Sequence, residues 1–488
     1  MTAIRESRAD CGESALSCWF TAPVDIASLA AFRVLFGLVM AAGMTRFLAK
    51  GWVTEIYLRS RFHFPYPGFE WVRPWPDEWM HIHFVLLALL ALMIAVGFCY
   101  RAATVLFCLG FTYVELIDQT AYLNHYYLAS LFSGLLIFLP AHRGWSVDAW
   151  LKPSLQRDAS PACALNLLRF QIAVVYVFAG LAKLNSDWIL HAQPLRIWLA
   201  AQSCLPLIGP WLGQEWVAYA ASWFGAIYDL TIVFFLLRRR TRPAAFLAVV
   251  FFHVATWILF NIGMFPWIMI AASTLFFAPD WPRHFLSACA VIAGRLTPGG
   301  RWSHRLDALA MPAASPKMIA IRRPRLAAAL LVAYAAAQVL VPVRPYLLNA
   351  ENPAWTYRGF NWAWQVMIAE KTGYVEFHAR DPATGWSARI QASRYISPRQ
   401  ETLMAQDPFL IREFARHIAQ DLRTRGHAHV QVFADAFAAL NGNPSRRLID
   451  PNVNLAGVTS YDWILPLRTQ VSTNSVATSR LYQGKGEE

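Results

Sequence analysis

Long apolar runs separated by short polar connectors fill the first 345 residues of the chain. An apolar helix of about 20 residues crosses a bilayer, and nine of the runs approach that length. We therefore predict a multi-span α-helical membrane protein with about nine transmembrane helices, with eight as the alternative. The predicted spans lie near Leu29–Leu48, His83–Phe98, Ala102–Ile117, Tyr126–Leu139, Leu165–Lys183, Val217–Leu237, Ala244–Phe260, Ile262–Phe277 and Leu326–Val343.

The chain changes character after the last apolar run, with balanced charge, short alternating segments and turn signals. This pattern predicts a C-terminal extramembrane α+β domain at residues 346–467, after a transmembrane domain at residues 25–345. The Ser-, Thr- and Gly-rich stretch at residues 468–488 is predicted to be disordered, because it cannot bury a core. The predicted elements of the α+β domain are strands at Tyr374–Arg380, Trp386–Ala392 and His429–Phe433, and a helix that opens at Asp407-Pro408 and stops at Gly426.

Composition excludes several classes of protein. Only 15% of the residues are charged, against about 25% in an ordinary soluble domain, which nearly excludes a purely soluble enzyme. The net charge of +13 does not indicate nucleic-acid binding, because the arginines lie between apolar runs and not on one solvated face. The seven cysteines form no CxxC pair and no Cys/His cluster, so no metal site is predicted.

Positive charge is divided unevenly between the two sets of connectors. Alternate connectors, beginning with the N-terminal segment at residues 1–24, hold 18 Lys and Arg residues, and the other connectors hold 5. Cytoplasmic loops carry the excess of positive charge, so the N-terminal segment is predicted to be cytoplasmic. With nine spans, the C-terminal domain is then extracytoplasmic.

Polar side chains in or beside membrane spans are candidate functional groups, because their burial is costly. Asn124 and His125 lie between the third and fourth spans, and Lys183 closes the fifth, all on the predicted extracytoplasmic side. A desolvated lysine can act as a base, although a lysine at a span end more often snorkels to the interface. Helix capping or hydrogen bonding within the bundle is the simpler explanation for Asn124 and His125.

Further polar and aromatic residues carry structural interpretations. Asp229, within the sixth span, is the most costly of them and requires a partner. His253 and Asn261 are interpreted as interhelical hydrogen-bonding groups. An aromatic belt at the membrane interface is the simplest explanation for Trp71, Trp75, Trp79, Trp188 and Trp216.

Two of these segments resemble motifs of the vitamin K-dependent γ-glutamyl carboxylase family. The run Ala179-Gly180-Leu181-Ala182-Lys183-Leu184-Asn185-Ser186-Asp187-Trp188 is similar to the family's "AG…KLDADW" segment, and Asn124-His125-Tyr126-Tyr127-Leu128 is similar to its "NNHSYL" segment. Co-linear likeness runs from about Asp25 to about Val458 and includes Ile262-Gly263-Met264-Phe265. The chain therefore resembles a compact bacterial-type member, an HTTM-domain protein of the bacterial inner membrane.

The resemblance implies a reaction and its cofactors. A lysine corresponding to Lys183 deprotonates a reduced naphthoquinone (phylloquinol or menaquinol), and O2 then converts the quinol to its epoxide. The strong base formed on the way removes a γ-proton from a glutamate of a peptide or protein, and CO2 adds to the carbanion. A histidine corresponding to His125 assists, with Asn124 beside it. The expected partners are membrane lipid, the naphthoquinone and a Glu-containing peptide, without a metal or nucleic acid.

Departures from the family pattern concern the binding of the substrate glutamate. Where animal members have a His-Ser-Arg stretch after a tryptophan, this chain has Ala369 and Lys371 after Trp364 at the histidine and arginine positions. Lys371 lacks the bidentate fork of an arginine. We predict that Trp364, Met367, Lys371, Met264 and Asp229 contribute to substrate or quinone binding. The alternatives are a quinone epoxidase with a different or lost carboxylation substrate, and a non-enzymatic quinone- or lipid-binding membrane protein.

Overall fold

In a computed structural model of the chain, the structure describes residues 20–260, 262–296, 309–311, 321, 323–348 and 352–467. The predicted N-terminal segment lies mostly outside these ranges, and Asn261 and the predicted tail at residues 468–488 lie entirely outside them. The helices are α1 (Ala27–Ala49), α2 (Glu78–Val96), α3 (Tyr100–Ile117), α4 (Asn124–Phe138), α5 (Val147–Leu151), α6 (Ala162–Ala182), α7 (Ser186–His191), α8 (Leu195–Ala200), α9 (Gly209–Leu212), α10 (Glu215–Leu237), α11 (Arg242–Leu259), α12 (Phe265–Ser273), α13 (Trp281–Leu296), α14 (Pro324–Leu348), α15 (Pro353–Thr356), α16 (Pro398–Met404) and α17 (Pro408–Thr424).

All nine predicted apolar runs form helices. Among the described residues, seven helices are long and apolar enough to span a membrane, namely α1, α2, α3, α6, α10, α11 and α14. The two others are shorter: α4 has 15 residues, and α12 has 9 before a 3-10 turn at Thr274–Phe276 extends it. The multi-span helical prediction is confirmed.

Close packing of α1 against α2 depends on a glycine. A Cβ placed on Gly37 would lie 2.6 Å from the carbonyl oxygen of Ala91 and 2.6 Å from the amide nitrogen of Ala95. Only a residue without a side chain permits this backbone approach. The first two membrane helices therefore pack backbone to backbone at this crossing.

The C-terminal α+β prediction is also confirmed. An antiparallel sheet has the order β4-β3-β5-β6, and a separate pair joins β1 to β2. The predicted strands and helix are all present, but the strand that was expected to end at Phe433 continues to Leu440. The strands are β1 (Pro23–Asp25), β2 (Ala159–Pro161), β3 (Lys371–Asp381), β4 (Trp386–Ile390), β5 (Gln431–Leu440) and β6 (Arg446–Arg447).

Alternating burial explains the extra length of β5. Every second residue from Val432 to Leu440 is buried, and the three buried residues between these two ends are alanines. Alanine has a weak strand propensity, so propensity did not indicate the continuation. The buried face of the sheet and the apolar side of α17 share one core, whose central members include Phe377, Leu410, Ile411, Phe414 and Ile418.

The chain forms two compact units. The first consists of the described residues of Met1–Arg59, Pro65–Leu184 and Trp223–Pro342. The second consists of the described residues of Ser60–Phe64, Asn185–Ser222 and Val343–Glu488. The second unit is therefore larger than the α+β domain defined from sequence, because it includes the stretch that follows Lys183.

Four of the five tryptophans assigned to the predicted aromatic belt are exposed, whereas Trp188 is buried. Trp71, Trp75, Trp79 and Trp216 are 50% or more exposed, as side chains at a membrane interface would be. Trp188 is 3% exposed, and its indole nitrogen donates a hydrogen bond of 2.8 Å to the carbonyl oxygen of Ser222. The belt assignment of Trp188 is wrong, because this residue is a buried anchor within the second unit.

Candidate active site

The centre of the candidate site is a buried ion pair between α6 and α10. Lys183 caps the C-terminus of α6, and its Nζ lies 2.8 Å from Oδ2 of Asp229 on α10. The same amine donates to the carbonyl oxygen of Ala179 at 3.3 Å. Both residues are 5% exposed. Asp229 therefore has the partner that a buried carboxylate within a membrane span requires. The Lys183 amine is enclosed by protein and does not snorkel to the interface.

A glycine one turn before Lys183 permits the two helices to approach. A Cβ on Gly180 would lie 2.9 Å from the backbone nitrogen of Leu230 and 2.8 Å from its Cγ. Leu230 directly follows Asp229 in the chain. The close approach of α6 and α10 therefore occurs beside the ion pair and brings the Lys183 amine and the Asp229 carboxylate together.

Replacing Gly180 with alanine is expected to destabilise the first unit by about 1–3 kcal/mol, because the methyl group overpacks the crossing of α6 and α10. Thermal unfolding in lipid or detergent measures the effect as a lower midpoint. Gly134→Ala is the matched control, since a Cβ there would lie 3.9 Å from the Cys108 sulfur, an ordinary contact. Equal midpoints for the two variants would contradict the close approach.

Three polar rings form a hydrogen-bonded cluster near the ion pair. The Tyr176 hydroxyl on α6 lies 2.9 Å from Nε2 of His253 on α11 and 3.4 Å from the Tyr228 hydroxyl on α10. Tyr228 immediately precedes Asp229, and Tyr176 lies seven residues before Lys183, which is two helical turns along the same face. All three rings are buried. The polar residues of α6, α10 and α11 therefore converge.

An aromatic ring connects this cluster with His125. The Phe265 ring at the start of α12 lies 6.0 Å from the His253 ring and 6.1 Å from the His125 ring, measured between centroids. His125 is 7% exposed and is preceded by Asn124, whose side-chain oxygen accepts a hydrogen bond of 3.1 Å from the Tyr122 hydroxyl. The structure thus links His125 to Tyr176 through Phe265 and His253, all within the first unit.

Met264 has a packing position beside this cluster. Its thioether sulfur lies 2.1 Å from the point that a Cβ on Gly43 would occupy, so it packs directly on the backbone of α1. Gly263, one residue earlier, has φ +63, a conformation that favours glycine. Together they set the position from which Phe265 reaches both histidines.

The remaining predicted site residues belong to the second unit. Trp364 is fully buried, and Trp362, Trp364 and Met367 all have positive φ values between 53° and 63°. Positive φ in a bulky residue costs about 1–3 kcal/mol and occurs most often at functional sites. The strained stretch from Trp362 to Met367 therefore remains a candidate binding segment on grounds that the sequence did not supply.

Lys371 is enclosed by aromatic side chains at the start of β3. Its Nζ donates a hydrogen bond of 2.6 Å to the carbonyl oxygen of Trp355 and lies 5.1 Å and 4.7 Å from the ring centroids of Trp355 and Tyr357. Burial lowers the pKa of Lys371 to about 7, although the nearby Asp407 carboxylate opposes this shift. Burial also raises the pKa of Asp407 to about 6.

The burial of Lys371 predicts that the free energy of unfolding depends on pH through the titration of this lysine. Between pH 7 and about 10.4 the unfolded chain keeps the Lys371 proton, which the folded chain releases. The free energy of unfolding therefore rises with pH through this window, by up to about 1.4 kcal/mol per pH unit. Asp407 titrates below the window and does not contribute to the rise.

The measurement is the thermal midpoint of the second unit, followed by tryptophan fluorescence from pH 7 to 9.5. The wild type is expected to gain about 2–4 °C per pH unit relative to Lys371→Met. Lys152→Met, which removes an exposed lysine, is the control and should keep the wild-type slope. Parallel curves for the wild type and Lys371→Met would contradict the burial argument.

Sequence reasoning found Lys183, Asp229, Asn124 and His125 but missed Tyr176, Tyr228 and Phe265 as neighbours of the site. A seven-residue spacing on a single predicted helix was available for Tyr176 and Lys183, and it would have indicated a shared face. The adjacency of Tyr228 to Asp229 was also visible. The contacts between helices were not, because they depend on packing.

Apolar spanning helices that enclose a lysine–aspartate pair and a cluster of polar rings define an integral membrane protein with a buried polar centre. Two family models match the chain: the HTTM domain over residues 21–281, and the vitamin K-dependent gamma-carboxylase, lumenal domain, over residues 323–470. The chain belongs to the vitamin K-dependent gamma-carboxylase family and is a gamma-carboxylase-like membrane protein. No solved structure matches it.

Proposed function

We propose that this protein is a vitamin K-dependent γ-carboxylase in which Lys183 removes a proton from a reduced naphthoquinone. The buried Lys183–Asp229 pair is the observation that carries the proposal. A lysine and an aspartate within a membrane helix bundle are costly and mark functional sites. Membership in the carboxylase family supports the substrate class, a membrane-soluble quinol such as phylloquinol or menaquinol.

The residues around the pair fit an aromatic, lipid-soluble ligand. Phe265, Tyr176 and Tyr228 supply ring faces, and His125 and His253 supply polar ring atoms within the same cluster. Pockets for such ligands are mostly apolar with a few polar groups that fix orientation. When bound, a naphthoquinol supplies two hydroxyl groups and, together with O2, the oxidation that generates a strong base.

The ion pair suits the role of proton acceptor that we propose for Lys183. In its active form the amine lacks one proton and accepts the hydroxyl proton at Nζ, which becomes an ammonium group. The Asp229 carboxylate, 2.8 Å away, stabilises that ammonium and orients the amine. This division of roles follows the logic of a histidine held by an aspartate in a catalytic triad. Burial keeps water from competing for the proton.

Asn124 and His125 are proposed as further partners in the reaction, with CO2 and a Glu-containing peptide as co-substrates. His125 lies beside Phe265 and can hold or move a proton at its ring nitrogens. Trp364, Met367 and Lys371 are proposed to contribute to glutamate binding in the second unit, and Met264 to quinone binding. From the distribution of positive charge, we also propose that the C-terminal α+β domain is extracytoplasmic and that the N-terminus is cytoplasmic.

One observation favours a second candidate, a quinone epoxidase with a different or lost carboxylation substrate. The Lys371 ammonium already donates to Trp355 and lies against two aromatic rings, and Lys371 is only 6% exposed. A lysine held in this way is poorly placed to receive a substrate carboxylate, and Ala369 supplies no polar group. Epoxidation does not require either residue.

Two assays on the purified chain in lipid vesicles test the proposal. Menaquinol with O2 is expected to yield the naphthoquinone epoxide, detected by chromatography, and labelled bicarbonate is expected to enter the glutamates of an added peptide. Epoxide without incorporated label would favour the second candidate. Quinol binding without O2 uptake would contradict both and would indicate a non-enzymatic quinone-binding protein.

A further inference from the structure

His253 is a buried histidine with one ring nitrogen already engaged. Its Nε2 lies 2.9 Å from the Tyr176 hydroxyl, and the residue is 1% exposed. Among the residues that the structure describes, Nδ1 has no hydrogen-bond partner. A buried polar atom without a partner is destabilising. Such an atom at a candidate site indicates a group that a ligand satisfies.

The surroundings of His253 define the chemistry of that ligand. The Phe265 ring stands edge-to-face with the imidazole at an interplanar angle of 85°, and the Phe252 ring lies 5.3 Å from it. The Tyr176 and Tyr228 hydroxyls supply the neighbouring polar groups. A flat aromatic molecule that carries ring oxygens matches both the aromatic faces and the unpaired nitrogen.

We propose that His253 binds an oxygen of the naphthoquinone through Nδ1, so that it is a quinone-binding residue in addition to Lys183. The inference rests on the proposed function for the identity of the ligand. It concerns binding alone, because no bond is formed or broken at His253.

The contact between His253 and Tyr176 allows one nitrogen to serve both oxidation states. When Nε2 carries the proton and donates to the Tyr176 oxygen, Nδ1 accepts a hydrogen bond from a quinol hydroxyl. When the Tyr176 hydroxyl donates to Nε2, Nδ1 carries the proton and donates to a quinone carbonyl. Tyr176 can turn its hydrogen toward the Tyr228 oxygen, 3.4 Å away, in the first arrangement. The tyrosine pair therefore selects the tautomer that each ligand requires.

Two replacements separate the nitrogens of His253. The asparagine amide of His253→Asn reproduces the position of Nδ1, whereas the glutamine amide of His253→Gln reproduces that of Nε2 and keeps the contact with Tyr176. His83→Gln is the matched control, since His83 is a membrane-helix histidine whose Nε2 lies 3.0 Å from the carbonyl oxygen of Gly110, away from this cluster.

The experiment measures the Kd of 2-methyl-1,4-naphthohydroquinone for the full chain in lipid nanodiscs, by tryptophan fluorescence under argon. His253→Gln is expected to raise the Kd about 5–10-fold, and His253→Asn and His83→Gln to change it less than about twofold. 2-Methylnaphthalene carries no ring oxygen and can neither donate to nor accept from Nδ1, so it should bind the wild type and His253→Gln with equal affinity.

Three results would overturn the assignment: an unchanged Kd in His253→Gln, a loss in His253→Asn but not in His253→Gln, or an equal loss for the quinol and for 2-methylnaphthalene. Binding is measured without turnover, so the outcome is separate from that of the proposed function. A chain that binds the quinol through His253 but forms no epoxide retains this inference and refutes the reaction. If the chain forms epoxide and the Kd is unchanged in His253→Gln, the reaction is retained and this inference is refuted.

Discussion

Replacing Lys183 with methionine is expected to lower the rate of naphthoquinol epoxidation by about 10³-fold. Methionine keeps an unbranched side chain of similar length in the buried space but cannot accept a proton, and a positioned base contributes about 10²–10⁴-fold. The affinity for oxidised menaquinone should fall no more than about tenfold, because at most one hydrogen bond to the ligand is lost. Epoxide formation by chromatography and quinone binding by fluorescence quenching measure the two effects separately.

The control for this prediction is Lys152→Met, which removes an exposed lysine from the same unit. It should retain the full rate. Turnover of Lys183→Met at the wild-type rate would remove Lys183 from the mechanism. A parallel collapse of quinone binding and turnover would instead make it a ligand anchor.

Replacing Asp229 with asparagine is expected to slow epoxidation by about 10²–10³-fold. The amide can still accept a hydrogen bond from Nζ, but it cannot stabilise the ammonium that forms when Lys183 takes up a proton. Removing one member of a buried ion pair costs about 3–5 kcal/mol, since the other charge is left uncompensated. The steady-state rate of epoxide formation at saturating quinol measures the loss.

Two further variants sharpen the test of Asp229. Asp229→Glu keeps the carboxylate and should recover part of the rate, whereas Asp280→Asn removes a more exposed aspartate and should have no effect. If Asp229→Asn matches the wild type, the ion pair is only a structural link between α6 and α10. If Asp229→Glu is as slow as Asp229→Asn, the charge of the carboxylate alone does not account for the loss.

The sequence was sufficient to predict the apolar helices and the chemistry of single residues. Hydrophobic length alone identified all nine apolar helices, and the Asp407-Pro408 pair identified the start of α17, where Asp407 accepts a hydrogen bond from the Phe409 amide. The cost of an aspartate within a span predicted that Asp229 has a partner. These inferences succeed because they depend on local pattern and on burial, which composition constrains.

The partners themselves could not be predicted, because they are distant in sequence. Lys183 and Asp229 are 46 positions apart, and Tyr176 and His253 are 77 apart. Which face of each helix meets its neighbour is set by close approaches such as that of Gly180 to Leu230, and a single apolar run does not encode them. The belt assignment of Trp188 failed for the same reason, since its contact with Ser222 arises only in the folded unit.

The most direct test of the central claim is the pH dependence of the defect in Lys183→Met. If Lys183 removes the hydroxyl proton, its absence must matter less once hydroxide ionises the quinol in bulk solution. The ratio of wild-type to Lys183→Met epoxidation rates is therefore expected to fall by about tenfold or more between pH 7.5 and 9.5. A ratio that stays constant across this range would contradict a role for Lys183 as the proton acceptor.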